Sequence, residues 1–156
     1  MIKVRLQIEN GDIKDTTEYG LVYLSSDHIV GAKTKGFETS AYPEEEGEHI
    51  LPKTVDDAFD YKVTFFIETT SLQNANAKIA AFNSLLYTQA ANEETKTFKQ
   101  VSFYNDYKKV KIVGYPQPIS EAKEFWRDSK GVQHDVVTVE WTIRVVKPSL
   151  CDFNLS

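Results

Sequence analysis

The segment DVVTVEWTIRVV, residues 135–146, limits the possible folds of this chain more than any other stretch. Apolar and polar side chains alternate along it with a period of two, which is the pattern of a β-strand with one buried and one solvated face. The apolar face would carry Val137, Val139, Trp141, Ile143 and Val145, and the polar face Thr138, Glu140, Thr142 and Arg144. We therefore predict that Trp141 is buried and that Glu140 is exposed.

The same alternation recurs at residues 2–9 and 61–68, so a β-sheet is the expected scaffold. One segment, from Ser71 to Ala90, instead has the spacing of an amphipathic helix, and Ser71 is its expected N-cap. Its apolar stripe comprises Leu72, Ala75, Ile79, Phe82 and Leu86. We expect Ile79, Phe82 and Leu86 to face the sheet, and Lys78, Asn83 and Gln89 to face water or a partner subunit.

The order of elements is strands, an arm, a strand, the helix and further strands. The later strands are expected at 99–104 and 107–115, and 122–127 is expected to pair with 135–146 as a hairpin. Strands that do not alternate with helices indicate an α+β fold, mainly an antiparallel β-sheet or sandwich with one packed α-helix at about 71–90. We expect a single domain over 1–156, with an extended arm or loop at about 41–53 and a short C-terminal tail at about 149–156.

The composition excludes several classes of protein. The chain has 156 residues, with 18 Lys and Arg against 23 Asp and Glu, and a net charge of −5, which argues against nucleic-acid specificity. Cys151 is the only cysteine, so no internal disulfide forms. The N-terminus shows no secretory leader, and no stretch approaches the ~20 apolar residues of a membrane-spanning helix. We expect no membrane partner and a cytoplasmic location in the producing cell.

The sequence carries no catalytic signature. The three histidines lack the spacing of a zinc site, and Cys151 has no histidine nearby in sequence to activate its thiol. The acidic group Asp56, Asp57 and Asp60 matches no calcium loop and is interpreted as a turn before a strand. Phosphate-binding glycine motifs and the GxSxG elbow are missing from the sequence. We therefore expect no enzymatic activity, no cofactor and no metal ion.

The arm has an unusual composition, with four glutamates around Gly47 and a proline on either side. Such a run cannot bury enough apolar area to hold itself down in a monomer. The candidate subunit interface consists of Tyr42, Glu44, Glu45, Glu46, Ile50 and Leu51. The alternative is a β-hairpin folded over its own sheet.

A second reading of the chain rests on its aromatic residues. Tyr19, Tyr23, Tyr42, Phe103, Tyr104, Tyr107 and Tyr115 include enough tyrosines to line a groove for a carbohydrate or another small ligand. Aromatic residues in strands more often pack in a core or an interface.

Five segments in a fixed order resemble the N-terminal domain of the distal tail proteins of long-tailed bacteriophages. They are DTTEYGLVYLSS, the acidic arm YPEEEGEHILP, the strand YKVTFFIE, the helix AKIAAFNSLLYT and the strand pair VSFYNDYKKVKIVGY. The resemblance covers roughly residues 15–120, and a related tail-tube or tail-terminator protein would share the same plan.

The resemblance implies a structural protein of a phage or prophage tail, found in the virion. Members of the family form hexameric rings that adapt the tail tube to distal tail components. The expected partners are therefore further copies of this chain and other tail proteins. Because the sequence ends at Ser156, we expect this chain to lack the second, carbohydrate-module-like domain that many members carry. A carbohydrate-binding or small-ligand-binding β domain without catalytic activity remains the alternative.

Overall fold

The computed structural model describes residues 3–27, 38–40, 49–51 and 56–155, with only backbone pairing described for 38–40 and 49–51. Its strands are β1 (Val4–Ile8), β2 (Lys14–Asp15), β3 (Val22–Ser26), β4 (Glu38–Ser40), β5 (His49–Leu51), β6 (Phe59–Glu68), β7 (Tyr87–Thr88), β8 (Thr97–Phe98), β9 (Val101–Asn105), β10 (Val110–Pro116) and β11 (Val136–Val145). The α-helix α1 spans Leu72–Ser84, and short 3-10 helices span Thr16–Tyr19 and Pro148–Leu150.

A seven-stranded antiparallel sheet forms the body of the molecule, in the order β2-β1-β9-β10-β11-β6-β3. Strand β10 joins its two halves, because residues Val110 to Gly114 pair with β9 whereas Tyr115 and Pro116 pair with β11. At this transition Gly114 lies so close to β11 that an added Cβ would stand 2.4 Å from the Arg144 carbonyl oxygen.

The two halves of the sheet face each other across a shared aromatic core. Phe103 of β9 lies with its ring centroid 6.1 Å from that of Tyr61, 6.4 Å from that of Phe65 and 6.4 Å from that of Trp141. The buried Asn105 adds a polar link between the halves, since its amide nitrogen donates to the Tyr23 hydroxyl of β3 at 3.0 Å. The predicted α+β fold, mainly antiparallel β, is confirmed.

Strand β11 follows its sequence pattern. Its five apolar side chains of the inner face are buried, and Trp141 is fully buried while Glu140 is exposed. The register of the strand predicted from the alternation is therefore confirmed.

Helix α1 begins as predicted and ends early. The Ser71 hydroxyl accepts a hydrogen bond from the Asn74 N–H at 3.4 Å, as expected of an N-cap. The helix stops at Ser84, six residues before the predicted Ala90. The next backbone N–H groups bond three residues back, and Tyr87 then enters β7, which pairs with β8 and packs on Phe98 at 5.8 Å. The β preference of Tyr and Thr, with a strand partner available, ends the helix there.

The inner face of α1 packs on the sheet as expected, and Ile79, Phe82 and Leu86 are buried. The prediction that Asn83 faces water or a partner is wrong. Its amide nitrogen donates to the Ile119 carbonyl at 2.9 Å, and its amide oxygen accepts from the Ile119 N–H at 2.9 Å. The side chain thereby attaches the connection after β10 to the helix.

The C-terminal segment, which was expected to be a tail, pairs with the part of β10 that β11 does not cover. Asp152 and Lys111 exchange two backbone hydrogen bonds of 2.7 and 2.9 Å, and the Leu155 N–H donates to the Lys109 carbonyl at 2.8 Å. Phe153 packs near Phe59, with ring centroids 6.4 Å apart. The segment thus continues the antiparallel pairing along β10 where β11 diverges from it.

Candidate functional site

The outer face of β6 and β11 is divided into a charged end and an apolar end. At the charged end, Arg144 and its cross-strand partner Asp60 form an ion pair at 3.2 Å, and Lys62 lies 3.9 Å from Glu140. These exposed pairs occupy the solvated face, where ion pairs add little stability. Asp60 is thus engaged with Arg144 on the sheet.

The apolar end carries an exposed cluster, which we call the sheet patch. Phe66 lies there between Val22 and Thr138, its partners on the two neighbouring strands. A cleft of about 260 Å3 is lined by Leu24, Phe66, Trp126, Val136 and Thr138. Leu24 is 52 % exposed and Trp126 47 % exposed. Large apolar side chains grouped on an open face are typical of surfaces that bind a partner or a ligand.

Two local features of the backbone bring the residues of the sheet patch together. The register of β3 against β6 shifts between Tyr23 and Ser25, leaving Leu24 as the extra residue of a bulge. Trp126 is held against the start of β11, because its N–H donates to the Val136 carbonyl at 2.9 Å and its carbonyl accepts from the His134 N–H at 3.0 Å. The predicted hairpin between 122–127 and 135–146 is thus formed around residues 126–136.

The tip of this hairpin is organised by Asp128. Its carboxylate accepts hydrogen bonds from the N–H groups of Lys130 at 2.9 Å and Val132 at 3.0 Å, and lies 3.0 Å from His134 Nε2. The His134 hydrogen bond is the main reason that the pKa of Asp128 lies below its ordinary value. The His134 ring in turn packs on Trp126, with centroids 4.9 Å apart.

Trp126 also borders a second, more polar cleft of about 300 Å3. Glu124, Phe125, Arg127 and Thr138 complete this cleft. Arg127 donates to the Gly131 carbonyl and to the Gln133 side chain, both at 3.2 Å, which fixes the guanidinium at the edge of the hairpin. The charged side chains of Glu124 and Arg127 therefore border the aromatic side chains of this cleft.

A second concave surface, which we call the helix groove, lies between the 3-10 helix Thr16–Tyr19 and α1. Its volume is about 350 Å3, and it is lined by Glu18, Tyr19, Gly20, Lys78, Ala81, Phe82 and Leu85. Tyr19 packs edge-on against Phe82 at 5.5 Å, and burial, with a smaller effect of Glu18, raises the pKa of Tyr19. Gly20 adopts φ 78°, which ends the 3-10 helix, and a Cβ at this position would stand 3.3 Å from the Lys78 side chain.

The structure describes little of the interface predicted from the arm. Tyr42, Glu44, Glu45 and Glu46 lie outside the described residues. Ile50 and Leu51 belong to β5, where Ile50 pairs with Thr39 and Leu51 with Glu38 of β4. The role of these six residues in subunit contact stays a prediction.

Sequence reasoning missed the sheet patch, although a signal was present. Along a half-buried strand every second residue should be polar, and Phe65-Phe66 and Val136-Val137 break this rule. In each pair one residue enters the core and the other is left on the outer face. The contribution of Trp126 had no such signal, because it depends on the hairpin.

The tyrosines of the alternative reading are spread over different sites. Tyr19 lines the helix groove, Tyr23 bonds to Asn105 inside the sheet, and Tyr115 is exposed at the far end of β10. Tyr104 lies between the charged groups of Arg5 and Lys111, which stand 5.2 and 5.5 Å from its ring centroid. The described tyrosines therefore do not gather in a single groove.

Three further observations concern chemistry and location. Within the described ranges, no group of three or more His, Cys, Asp or Glu side chains is placed to hold a metal ion. Burial raises the pKa of the Cys151 thiol, which disfavours the reactive thiolate. In the same part of the chain, no helix is long and apolar enough to cross a membrane.

Comparison with known proteins gives a fold but no close relative in sequence. No protein-family model matches the chain, and no curated protein matches it. Among solved structures, it is similar to the Dit (gp 19.1) protein of phage SPP1, described as a paradigm of the hub adsorption apparatus in phages that infect Gram-positive bacteria. The match has a TM-score of 0.56 and 11 % sequence identity, and it covers 93 % of this chain but 50 % of the Dit chain. The resemblance to distal tail proteins is thereby confirmed for the fold, over about half the length of that protein.

Proposed function

We propose that this chain is a structural, non-catalytic protein of a phage or prophage tail, in the position of a distal tail or hub protein. The observation that carries the proposal is the fold, which matches that of the SPP1 Dit protein over 93 % of this chain. The order of segments from DTTEYGLVYLSS to VSFYNDYKKVKIVGY independently resembles the same family. The chain would reside in the virion tail, after synthesis in the cytoplasm of the producing cell.

Its task would be to assemble with copies of itself, as a hexameric ring that adapts the tail tube to distal tail components. Closed rings use head-to-tail contacts, so each subunit must present two different surfaces. The sheet patch and the helix groove are two such surfaces, and their apolar side chains are costly to leave in water.

The arm would contribute to the same assembly. We propose that Tyr42, Ile50 and Leu51 contact the adjacent subunit, while Glu44, Glu45 and Glu46 orient it through charge.

The decisive experiment is to purify tailed particles from the strain that carries the gene and to search them for this chain by mass spectrometry. Antibody labelling should then place it at the distal end of the tail. Particles that infect normally and contain none of this chain would overturn the proposal. Labelling along the whole tube would instead indicate a tube protein.

The alternative, a non-catalytic ligand-binding domain, is favoured by one feature, the cleft where Glu124, Arg127 and Thr138 surround Trp126. Such a combination of an aromatic face and hydrogen-bonding groups suits a sugar or another small polar ligand. A hexameric mass in solution would favour the ring function, whereas a monomeric mass would leave the decision to the search for this chain in purified particles. A ring subunit should form a hexamer or assemble as its concentration rises, whereas a ligand-binding module should stay a monomer or dimer at every concentration.

A further inference from the structure

We infer that the sheet patch of one copy docks into the helix groove of a neighbouring copy, with Trp126 as the anchor. This inference rests on the proposed function and names the residues of the contact within it. The occupant of the sheet patch is thus a second copy of this chain, bound head-to-tail.

Trp126 is held in place before any neighbouring copy binds. Backbone hydrogen bonds fix Trp126 against Val136 and His134, and the His134 ring packs on one side of the indole. A large aromatic side chain that is both exposed and rigid loses little conformational entropy on binding. Tryptophan is also among the residues that most often dominate the energy of an interface.

The helix groove suits such an anchor in size and chemistry. Its volume of about 350 Å3 accommodates a single large aromatic side chain with its immediate surroundings. The half-buried Tyr19 and the exposed Leu85 offer apolar surface there. Ala81 is exposed there and carries only a methyl group, while the aliphatic stem of Lys78 lies against Gly20.

The charges at the two rims are complementary. Glu124 and Arg127 stand beside Trp126, and Glu18 and Lys78 stand at the groove. Among the described residues, none of these four side chains has an ion-pair partner. A docked neighbour can therefore pair Arg127 with Glu18 and Glu124 with Lys78, which fixes the orientation of the contact.

A chain cannot make this contact with itself. Helix α1 packs on the inner side of the sheet, where Phe82 meets Trp141 at 5.4 Å. The patch lies on the outer side, since Phe66 points away from the core that its neighbour Phe65 enters. Two different surfaces on opposite sides of a sheet give a head-to-tail contact, which closes into a ring or continues as a chain.

The test uses one variant for each surface, both at exposed positions. Trp126→Glu places a charge in the sheet patch, and Ala81→Glu places one in the helix groove. Val132→Glu, on the same hairpin but outside the patch, and Ala77→Glu, on the same helix but outside the groove, are the matched controls. Sedimentation velocity over a concentration series measures assembly, and circular dichroism verifies folding.

We expect each surface variant to weaken self-association by about 30-fold or more, the loss caused by a hot-spot residue, while the controls assemble as the unmodified chain does. An equimolar mixture of the two surface variants should form a dimer and nothing larger. In that mixture one intact patch meets one intact groove, and the other two surfaces are blocked. Should Trp126→Glu fail to fold, Leu24→Glu repeats the test on the same patch.

Several outcomes would overturn the inference. Surface variants that assemble like the unmodified chain would show that the contact lies elsewhere, with the tail function left standing. Dimers of Ala81→Glu by itself would show a symmetric patch-to-patch contact. An unmodified chain that remains monomeric up to its solubility limit would refute self-docking, and detection in purified particles would then decide the tail function separately.

Discussion

At the scale of single residues, Trp141 joins β11 to three other elements. Its ring centroid lies 5.4 Å from that of Phe82 in α1, 6.2 Å from that of Phe65 in β6 and 6.4 Å from that of Phe103 in β9. One side chain thus connects the helix with both halves of the sheet. Its removal should therefore weaken the packing of the whole core.

We expect Trp141→Ala to lower the free energy of unfolding by about 3–5 kcal/mol, because the vacated volume cannot be refilled by rigid neighbours. Chemical denaturation monitored by circular dichroism measures this. Trp126→Ala is the control, since that indole is half exposed and contributes little to the core. Equal denaturation midpoints for the two variants would contradict the core role of Trp141.

Tyr61 makes the stability of the protein depend on pH in the alkaline range. Burial, as the largest cause, raises its pKa from 10.0 to about 12, and its hydroxyl donates to Ser26 Oγ at 2.9 Å. Because the folded pKa is the higher one, this stabilisation is fully present below pH 10 and is lost as the pH rises towards 12.

Spectroscopic titration should therefore show a tyrosine that ionises at about pH 12. In Tyr61→Phe the step at about pH 12 should vanish, while Tyr19, whose pKa burial also raises, still titrates, and the fall in melting temperature above pH 10 should become shallower. Tyr115→Phe is the control, because Tyr115 is exposed and its loss should leave that step in place. A step at that pH that persists in Tyr61→Phe would assign it to another tyrosine.

At the scale of elements, two hydrogen bonds between Asn83 and Ile119, and one from the Ala122 N–H to Asn76 Oδ1, join α1 to the connection after β10. We expect Asn83→Ala to cost about 1–3 kcal/mol, since it leaves the N–H and carbonyl of Ile119 without their partner. Thermal unfolding measures the change, and Gln73→Ala, at an exposed position of the same helix, should be neutral or slightly stabilising. A neutral Asn83→Ala would mean that water replaces the amide without loss.

The passage of β10 from β9 to β11 depends on Gly114. A methyl group there would meet the Arg144 backbone at 2.4 Å, so the two strands would have to separate. We expect Gly114→Ala to destabilise the protein by about 3 kcal/mol, in the range of core overpacking. Tyr115→Ala, at the next and exposed position, should cost much less. Urea denaturation of the two variants compares them directly, and equal stabilities would refute the close approach.

At the scale of the whole molecule, the arm is expected to act between subunits. Deletion of residues 43–49 should abolish the oligomer while leaving a folded monomer, because the body of the sheet is built from other segments. Native mass spectrometry measures the oligomeric state, and circular dichroism verifies that the variant is folded. A deletion variant that still forms the full oligomer would remove the arm from the interface.

The sequence by itself determined which residues of the long strands enter the core. A period of two places alternate side chains on opposite faces whatever the partner strands are, so the burial of Trp141 follows from its neighbours in sequence. Local capping likewise determined the start of α1 at Ser71. These features need no information from distant parts of the chain.

Tertiary structure alone decided the rest. The helix ends before Tyr87 because Phe98 supplies a strand partner, and Asn83 turns inward because Ile119 lies within reach. The sheet patch unites Leu24, Phe66 and Trp126 from three separate segments, through a bulge and a hairpin that bring them side by side. Such proximity depends on strand pairing over long sequence separations, and neither local periodicity nor composition records it.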